Sequence, residues 1–173
     1  MSKCLRMSEE QFAALMGHKK LPSADKTTKG KTVAIAGGYR SRVSGERTIG
    51  GKTHYFRSLW EIQFAQYLEF QKKHGEIIDW EYEPRKFDFP IEVYGRSLPH
   101  SYLPDFRIVY KNGFEEYAEV KGVLTAISKK KIKRLNETYP EINLKVYGKP
   151  WFTAARRKGF HNLMGWEKLP IED

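Results

Sequence analysis

One cysteine, Cys4, leaves no partner for an intrachain disulfide, and the five histidines fall at no spacing that would make a zinc ligand set. A metal site in this chain therefore has to be built from carboxylates. No apolar run reaches membrane-spanning length, and Met1-Ser2-Lys3-Cys4-Leu5-Arg6 lacks the apolar segment of a secretory signal, so a cytoplasmic protein without a membrane partner is expected. Internal repeats are absent too, which argues against a solenoid or array.

What is present is charge, arranged in blocks. Residues 1–56 carry eleven Lys and Arg against four acids (net +7), residues 57–121 nine against twelve (net −3), and residues 122–173 eleven against five (net +6). An acidic middle between basic flanks suits a protein that grips a polyanion and works on it at a cation-filled centre. At 173 residues the chain can bury one substantial core.

The acidic block contains the most informative local pattern. Pro104-Asp105 opens an apolar run, Lys111-Asn112-Gly113 is a turn signal, and Glu119-Val120-Lys121 closes the next run. Residues i and i+2 of a strand share a face, so Glu119 and Lys121 project together while Ala118 and Val120 point the other way. Register decides whether Asp105 joins them. A two-residue Asn112-Gly113 loop pairs Asp105 with Val120 and puts the two acids on opposite faces. A three-residue loop over 111–113 pairs Tyr110 with Phe114 and Asp105 with Glu119, with β-carbons about 5 Å apart. Gly113 is placed to take the left-handed conformation the longer loop needs.

Residues 57–74 read as a helix, with Trp60, Phe64, Tyr67, Leu68 and Gln71 along one stripe. Glu61 borders that stripe and has two readings. It is the last residue of a Ser58-Leu59-Trp60-Glu61 capping box, reaching back to the Ser58 amide, and it can also bring a third carboxylate to the centre of Asp105 and Glu119. Elsewhere, Ser8 to Met16 reads as a short helix and residues 18–53 as a flexible basic arm, interrupted only by Thr32 to Ala36. Trp80 to Phe89 and Ile91 to Tyr94 read as strands, Lys129 to Tyr139 as a basic helix with Ile127, Ile132 and Leu135 as its apolar stripe, and Leu144 to Tyr147 as a buried strand. Strand, helix, strand from 114 to 147 implies a crossover and a mixed sheet. The expected division is an N-terminal helix and arm over 1–53 and one α/β domain over 54–173.

Two basic clusters have a DNA-contact reading beside that of a solvated surface: Lys129, Lys130, Lys131, Lys133 and Arg134 on the basic helix, and Arg156, Arg157 and Lys158 after Trp151 and Phe152. In the second cluster both readings hold together if the aromatics, with Trp166, turn inward and the cations outward.

Several stretches, in order and spacing, resemble the PD-(D/E)XK nuclease superfamily, and within it the phage endonuclease I type of Holliday-junction resolvase. They are Phe56-Arg57-Ser58-Leu59-Trp60-Glu61, Trp80-Glu81-Tyr82-Glu83-Pro84, Ser101-Tyr102-Leu103-Pro104-Asp105-Phe106, Glu119-Val120-Lys121-Gly122, and Tyr139-Pro140-Glu141-Ile142 before a strand. The resemblance implies a restriction-endonuclease-like α/β core with a central mixed sheet flanked by helices. It implies that Glu61, Asp105, Glu119 and the Val120 carbonyl hold Mg2+, with Mn2+ able to substitute, and that Lys121 assists the attacking water. Its substrate would be DNA, branched as in a four-way junction. Two symmetric nicks would call for a homodimer, and the compartment would be the cytoplasm, the host's if the protein is phage-encoded. A general or sequence-directed endonuclease of restriction-like or transposon end-cleaving type, and a DNA-binding module that has lost catalysis, are the alternative expectations.

Overall fold

The computed structural model describes residues 43–91, 100–163 and 166–167. The first element is a hairpin, β1 (Gly45–Ile49) and β2 (Lys52–Phe56), turning through Gly50 and Gly51 at φ +62° and +78°. Two successive left-handed residues match the right-handed twist of the flanking strands, hence the Gly-Gly pair. A β-carbon on Gly50 would lie 2.2 Å from the Glu69 carboxylate, so any other residue there would push the end of that side chain aside. This hairpin corrects the flexible arm expected through residue 53. Its outward residues are polar, with Thr48 and Thr53 sharing a 2.8 Å hydrogen bond, and Ile49 and Phe56 are its buried anchors. The α/β domain therefore starts at least nine residues before position 54. The expected helix at 8–16, the 32–36 run and the rest of the arm lie outside the described residues, as do positions 92–94 of the second expected strand.

Helix α1 (Leu59–Lys73) follows, capped by Ser58. Leu59, Ile62, Phe64, Ala65, Tyr67 and Leu68 are all buried, so α1 is covered on more than its predicted stripe, while Trp60 is half-buried. It ends where Gly75, at φ +71°, turns the chain and the Glu76 amide donates to the Gln71 carbonyl.

A four-stranded sheet carries the rest: β3 (Ile77–Tyr82), β6 (Phe106–Tyr110), β7 (Glu115–Val120) and β8 (Leu144–Tyr147), in that spatial order. The first three run antiparallel and β8 lies parallel to β7. That parallel pair requires the crossover supplied by α2 (Ala126–Thr138). A small hairpin of β4 (Phe87–Asp88) and β5 (Ser101–Tyr102) stands apart from the sheet, and α3 (Lys149–Arg157) and α4 (Phe160–Leu163) close the described chain. The strand expected over 80–89 begins three residues earlier and breaks after Tyr82, where Glu83 takes φ +47° before Pro84. Proline lacks an amide for the ladder and restricts the residue before it.

Side-chain alternation gives the sheet two packed faces. Against α1 and α3 lie Trp80, Tyr82, Phe106, Ile108 and Tyr147, with Phe64 in contact with Phe106, Tyr147 and Trp151. On the other face Tyr117 joins Phe87, Phe89, Tyr102 and Leu135, bordered by Ile132, Tyr139, Ile142 and Leu144. Helix α2 starts three residues before its expected position, behind a Thr125 cap, and buries only Leu135. Ile127, grouped with Ile132 and Leu135 in the expected stripe, is 57% exposed: standing five residues before Ile132, it lies about 140° around the helix from it and off the buried face. The result is a mixed α/β domain with a central sheet flanked by helices, a restriction-endonuclease-like core. Among the described residues no helix is long and apolar enough to cross a membrane.

Candidate functional site

The β6–β7 turn sets the site. Phe106 pairs with Ala118 and Val109 with Glu115, and the Tyr110 amide donates to the Phe114 carbonyl at 2.9 Å, so the loop is three residues long. Gly113 sits at φ +79°, and Asn112 Oδ1 accepts from the Phe114 amide at 3.0 Å, fixing the turn from within. Extended one step beyond the ladder, this register sets Asp105 opposite Glu119.

Asp105 has left the regular strand. Its carbonyl accepts from the Glu83 amide at 2.8 Å, and its Oδ2 accepts from the Val120 amide at 2.7 Å, which pins the acid across the sheet end. Glu119 is buried, at 7% exposure; its Oε2 accepts from the Tyr102 hydroxyl at 2.8 Å, and its Oε1 lies 3.4 Å from Lys121 Nζ. Lys121 is half-exposed, and its amide donates to the Tyr147 carbonyl at 3.1 Å, continuing the β7–β8 pairing past Val120. A β-carbon on Gly148 would come 3.3 Å from the Lys121 carbonyl, so the chain passes close behind the lysine as it leaves β8. The structure thus brings Asp105, Glu119, Val120 and Lys121 together.

Glu61 comes in from α1 and is fully engaged. Its Oε1 accepts from Ser58 Oγ at 2.8 Å, and its Oε2 from the Arg57 amide at 2.9 Å and the Tyr82 hydroxyl at 2.8 Å. Capping is therefore its observed role, through the Arg57 amide rather than that of Ser58. Replacing Ser58 by alanine should cost about 1 kcal/mol, since both the N-terminus of α1 and Glu61 lose a partner; urea unfolding of the variant measures it, and an unchanged midpoint would count against the cap.

Burial raises Asp105 most, the charge of Glu119 next and that of Glu61 further, against the lowering by the Val120 amide and Lys121; the outcome is a pKa pushed up to about 8 from an ordinary 3.8. The folded chain therefore holds this proton more tightly than the unfolded chain does. Its stabilising contribution is complete below about pH 4, declines as pH rises, and is gone above about 8. In chelator, the stability of the unaltered chain relative to Asp105→Asn should fall between pH 5 and 8 and then level off. Urea midpoints for both proteins across that range test the sign, and a flat difference would remove the coupling.

Burial, followed by the neighbouring Glu61 and Glu119 charges, keeps Tyr82 and Tyr102 well above their usual range, so both act as neutral donors to those carboxylates. Sequence reading missed these two tyrosines; each stands in a matched stretch, but which acid it holds depends on the folded sheet. Among the described residues no three Asp, Glu, His or Cys side chains form a ready-made metal-binding group, the acids being held by Ser58, Tyr82, Tyr102 and backbone amides. The donor chemistry nonetheless fits a hard divalent cation. Three carboxylates interact closely enough to raise Asp105, and the one ammonium beside them leaves negative charge uncompensated.

The cations lie on two helices. On α2, Lys129, Lys130 and Lys133 are exposed and Lys131 and Arg134 half-exposed; on α3 and its cap, Arg156, Arg157 and Lys158 are exposed. Phe152 and Trp166 are buried and Trp151 half-buried, so aromatics face inward and cations outward. A shallow hollow of about 550 Å³ runs along α3, lined by Lys149, Pro150, Thr153, Ala154, Arg157 and Lys158, which adds Lys149 to the cationic surface.

A comparison with curated proteins found no match. Residues 44–153 match the family described as "Protein of unknown function (DUF1064)". That stretch runs from the residue before β1 into α3, well over half the chain, and spans every residue of the acidic centre; the chain accordingly belongs to the DUF1064 family.

Proposed function

We propose that this chain is a Mg2+-dependent DNA endonuclease of PD-(D/E)XK type that hydrolyses phosphodiester bonds in branched DNA such as Holliday junctions, working as a homodimer in the cytoplasm. The observation that carries the reading is the pairing of Asp105 with Glu119 beside Lys121 at one end of a mixed sheet. Branched DNA and the dimer rest on the resemblance and on the symmetry of paired incisions.

Asp105, Glu119 and the Val120 carbonyl would hold the cation, with Glu61 joining on release from Tyr82 or through a bridging water. Bound there, Mg2+ would neutralise the phosphate and lower the pKa of a water. Lys121, half-exposed and 3.4 Å from Glu119, would orient that water. The water oxygen adds to phosphorus and gives up a proton, while the bond to one sugar oxygen breaks and that oxygen takes up a proton. Val120's amide keeps Asp105 aimed, and Tyr102 does the same for Glu119. The exposed cations of α2 and α3 would grip the backbone on either side.

The test is cleavage of linear duplex, single-stranded, flapped and four-way substrates in Mg2+, Mn2+, Ca2+ or chelator. The expected result is cutting of the four-way substrate in Mg2+ and Mn2+, with Ca2+ bound but poorly productive. Strong cutting in chelator would refute the metal mechanism. Equal cutting of duplex and junction would leave a general endonuclease.

A further inference from the structure

The sheet end that carries the acids has a second cation. Tyr82 pairs with Phe106, and Phe106 with Ala118, so Glu83, Asp105 and Lys121, each one residue beyond its strand, lie at the same end of β3, β6 and β7 with Asp105 in the middle. Lys121 stands on the β7 side of Asp105. On the β3 side stands Arg57, whose guanidinium meets the Glu83 carboxylate at 2.6 Å. Both members of this pair are tied to the centre through the main chain: the Arg57 amide donates to Glu61, and the Glu83 amide to the Asp105 carbonyl. The Tyr82 hydroxyl, raised by burial first and then by the charges of Glu61, Glu83 and Asp105, lies among the same acids.

The pair is not an ordinary surface contact. Strand alternation would send Glu83 to the face of Glu81, which pairs there with Arg107. Instead Glu83 takes φ +47° before Pro84, a conformation disfavoured both for a residue with a side chain and for one preceding proline, and its carboxylate goes to Arg57. Such strain persists where the surroundings enforce it, and it collects at functional sites. An ion pair whose arginine is 66% exposed contributes too little to explain it by stability alone.

We propose that Arg57 is a catalytic residue that binds the scissile phosphodiester, its guanidinium donating to a non-bridging oxygen while Glu83 holds it in place; this rests on the nuclease reading above. The charges present identify the ligand. Glu61, Glu83, Asp105 and Glu119, when ionised, are balanced by Lys121, Arg57 and one divalent cation, so a phosphodiester enters a centre without net negative charge. Charge that gathers on its oxygens as water adds is best met by donors fixed beforehand. The planar fork of arginine matches two phosphate oxygens, which the point charge of an ammonium does not. Lys121, on the opposite side of Asp105, keeps the water.

The experiment makes two measurements on the full chain with a four-way junction: affinity across a salt series with Ca2+ in place of Mg2+, and single-turnover cleavage in Mg2+. Arg57→Ala should bind about tenfold more weakly, and its slope of log affinity against log salt should shrink by about one, the loss of a single phosphate contact. Its cleavage should fall on the order of 10²-fold with all DNA bound. Added guanidinium ion should return part of that rate by refilling the vacated position, a response that a structural defect would not give. Arg57→Lys should keep the slope and recover only part of the rate. Glu83→Gln should slow cleavage less than Arg57→Ala, and should cost nothing further when added to it, as expected of a positioning residue that acts through the arginine. The Arg57 amide, and with it the bond to Glu61, survives all these changes, and urea midpoints check that each variant folds.

Unchanged slope and rate in Arg57→Ala would overturn the assignment and leave the nuclease reading standing if the unaltered chain cuts. A reduced slope with full rate would move the contact to a neighbouring phosphate and overturn it too. So would a lost rate with unchanged slope and no response to guanidinium, which would leave Arg57 a structural partner of Glu83. Should the unaltered chain cut no substrate in Mg2+ while Arg57→Ala still loses one phosphate contact, the nuclease reading falls and the phosphate site stands.

Discussion

Asp105→Asn protein should leave four-way and duplex DNA uncut, with turnover lower by on the order of 10³-fold or more, while binding both at least as tightly as the unaltered chain. The expected size is that of removing a preorganised charge from the point where charge develops in the transition state. Affinity survives for a separate reason: with its pKa pushed up to about 8, Asp105 is largely neutral near neutral pH in chelator, so a neutral amide adds no repulsion, and asparagine Oδ1 can still accept from the Val120 amide, which keeps the geometry of the sheet end. Glu119→Gln should behave alike. Lys121→Ala should lose turnover with a modest loss of affinity, since it takes a cation from the surface. Affinity by anisotropy in chelator and single-turnover cleavage in Mg2+ separate the two effects. Turnover near that of the unaltered chain in Asp105→Asn would end the assignment, whereas loss of both binding and cleavage would place Asp105 in the fold rather than the chemistry.

The largest stability effect should come from Phe64→Ala, at about 3–5 kcal/mol. Phe64 is fully buried and its ring meets Tyr67, Phe106, Tyr147 and Trp151, with centroids 4.4 to 5.8 Å away, so one side chain ties α1 to β6, β8 and α3. A domain of this kind is stable by about 5–15 kcal/mol, so the loss would consume a large part of the total. Phe64→Leu should recover much of it. Denaturant midpoints for the two variants check the ordering, and a cost below 1 kcal/mol for alanine would show that α1 can settle onto the sheet without the ring.

Local chemistry made the β6–β7 register readable in advance. A turn containing Asn-Gly allowed two loop lengths, and only the longer one aligned the acids; Asn112 and Gly113 then supply the internal bond and the left-handed residue it needs. The strand Leu144 to Tyr147 was legible as a strand, but not as a buried one: it stands at the edge of the sheet, where only Tyr147 is buried and Lys145 is exposed. The 45–56 hairpin was not legible. Its outward polar residues hide a period of two, and a Gly-Gly pair within a basic, polar stretch suits a flexible arm as well as a turn. Glu61 could be located but not assigned, since one carboxylate satisfies both the cap and the charge centre until the Arg57 amide and the Tyr82 hydroxyl are seen to occupy it. Tyr82 and Tyr102 act on acids 21 and 17 residues away, a relation that exists only after the sheet forms. Ile127 does not join the buried face because a spacing of five residues carries it about 140° around the helix from Ile132, whereas Ile132 and Leu135, three apart, stay on one side.

β7 stands between neighbours that reach it by different routes. β6 arrives across a three-residue turn, whereas β8 arrives only after the residues 121–143 have been made and folded back. As the chain is synthesised, Asp105 and Glu119 can therefore meet as soon as the turn closes. The Lys121 amide must wait for the Tyr147 carbonyl. Contacts distant in sequence form slowly, and until this one does, one edge of β7 keeps its backbone groups unpaired and open to a strand from another chain. The last part of the centre to be fixed is thus its lysine, and the interval before β8 docks is when a ribosome-bound or refolding chain is most prone to misassembly.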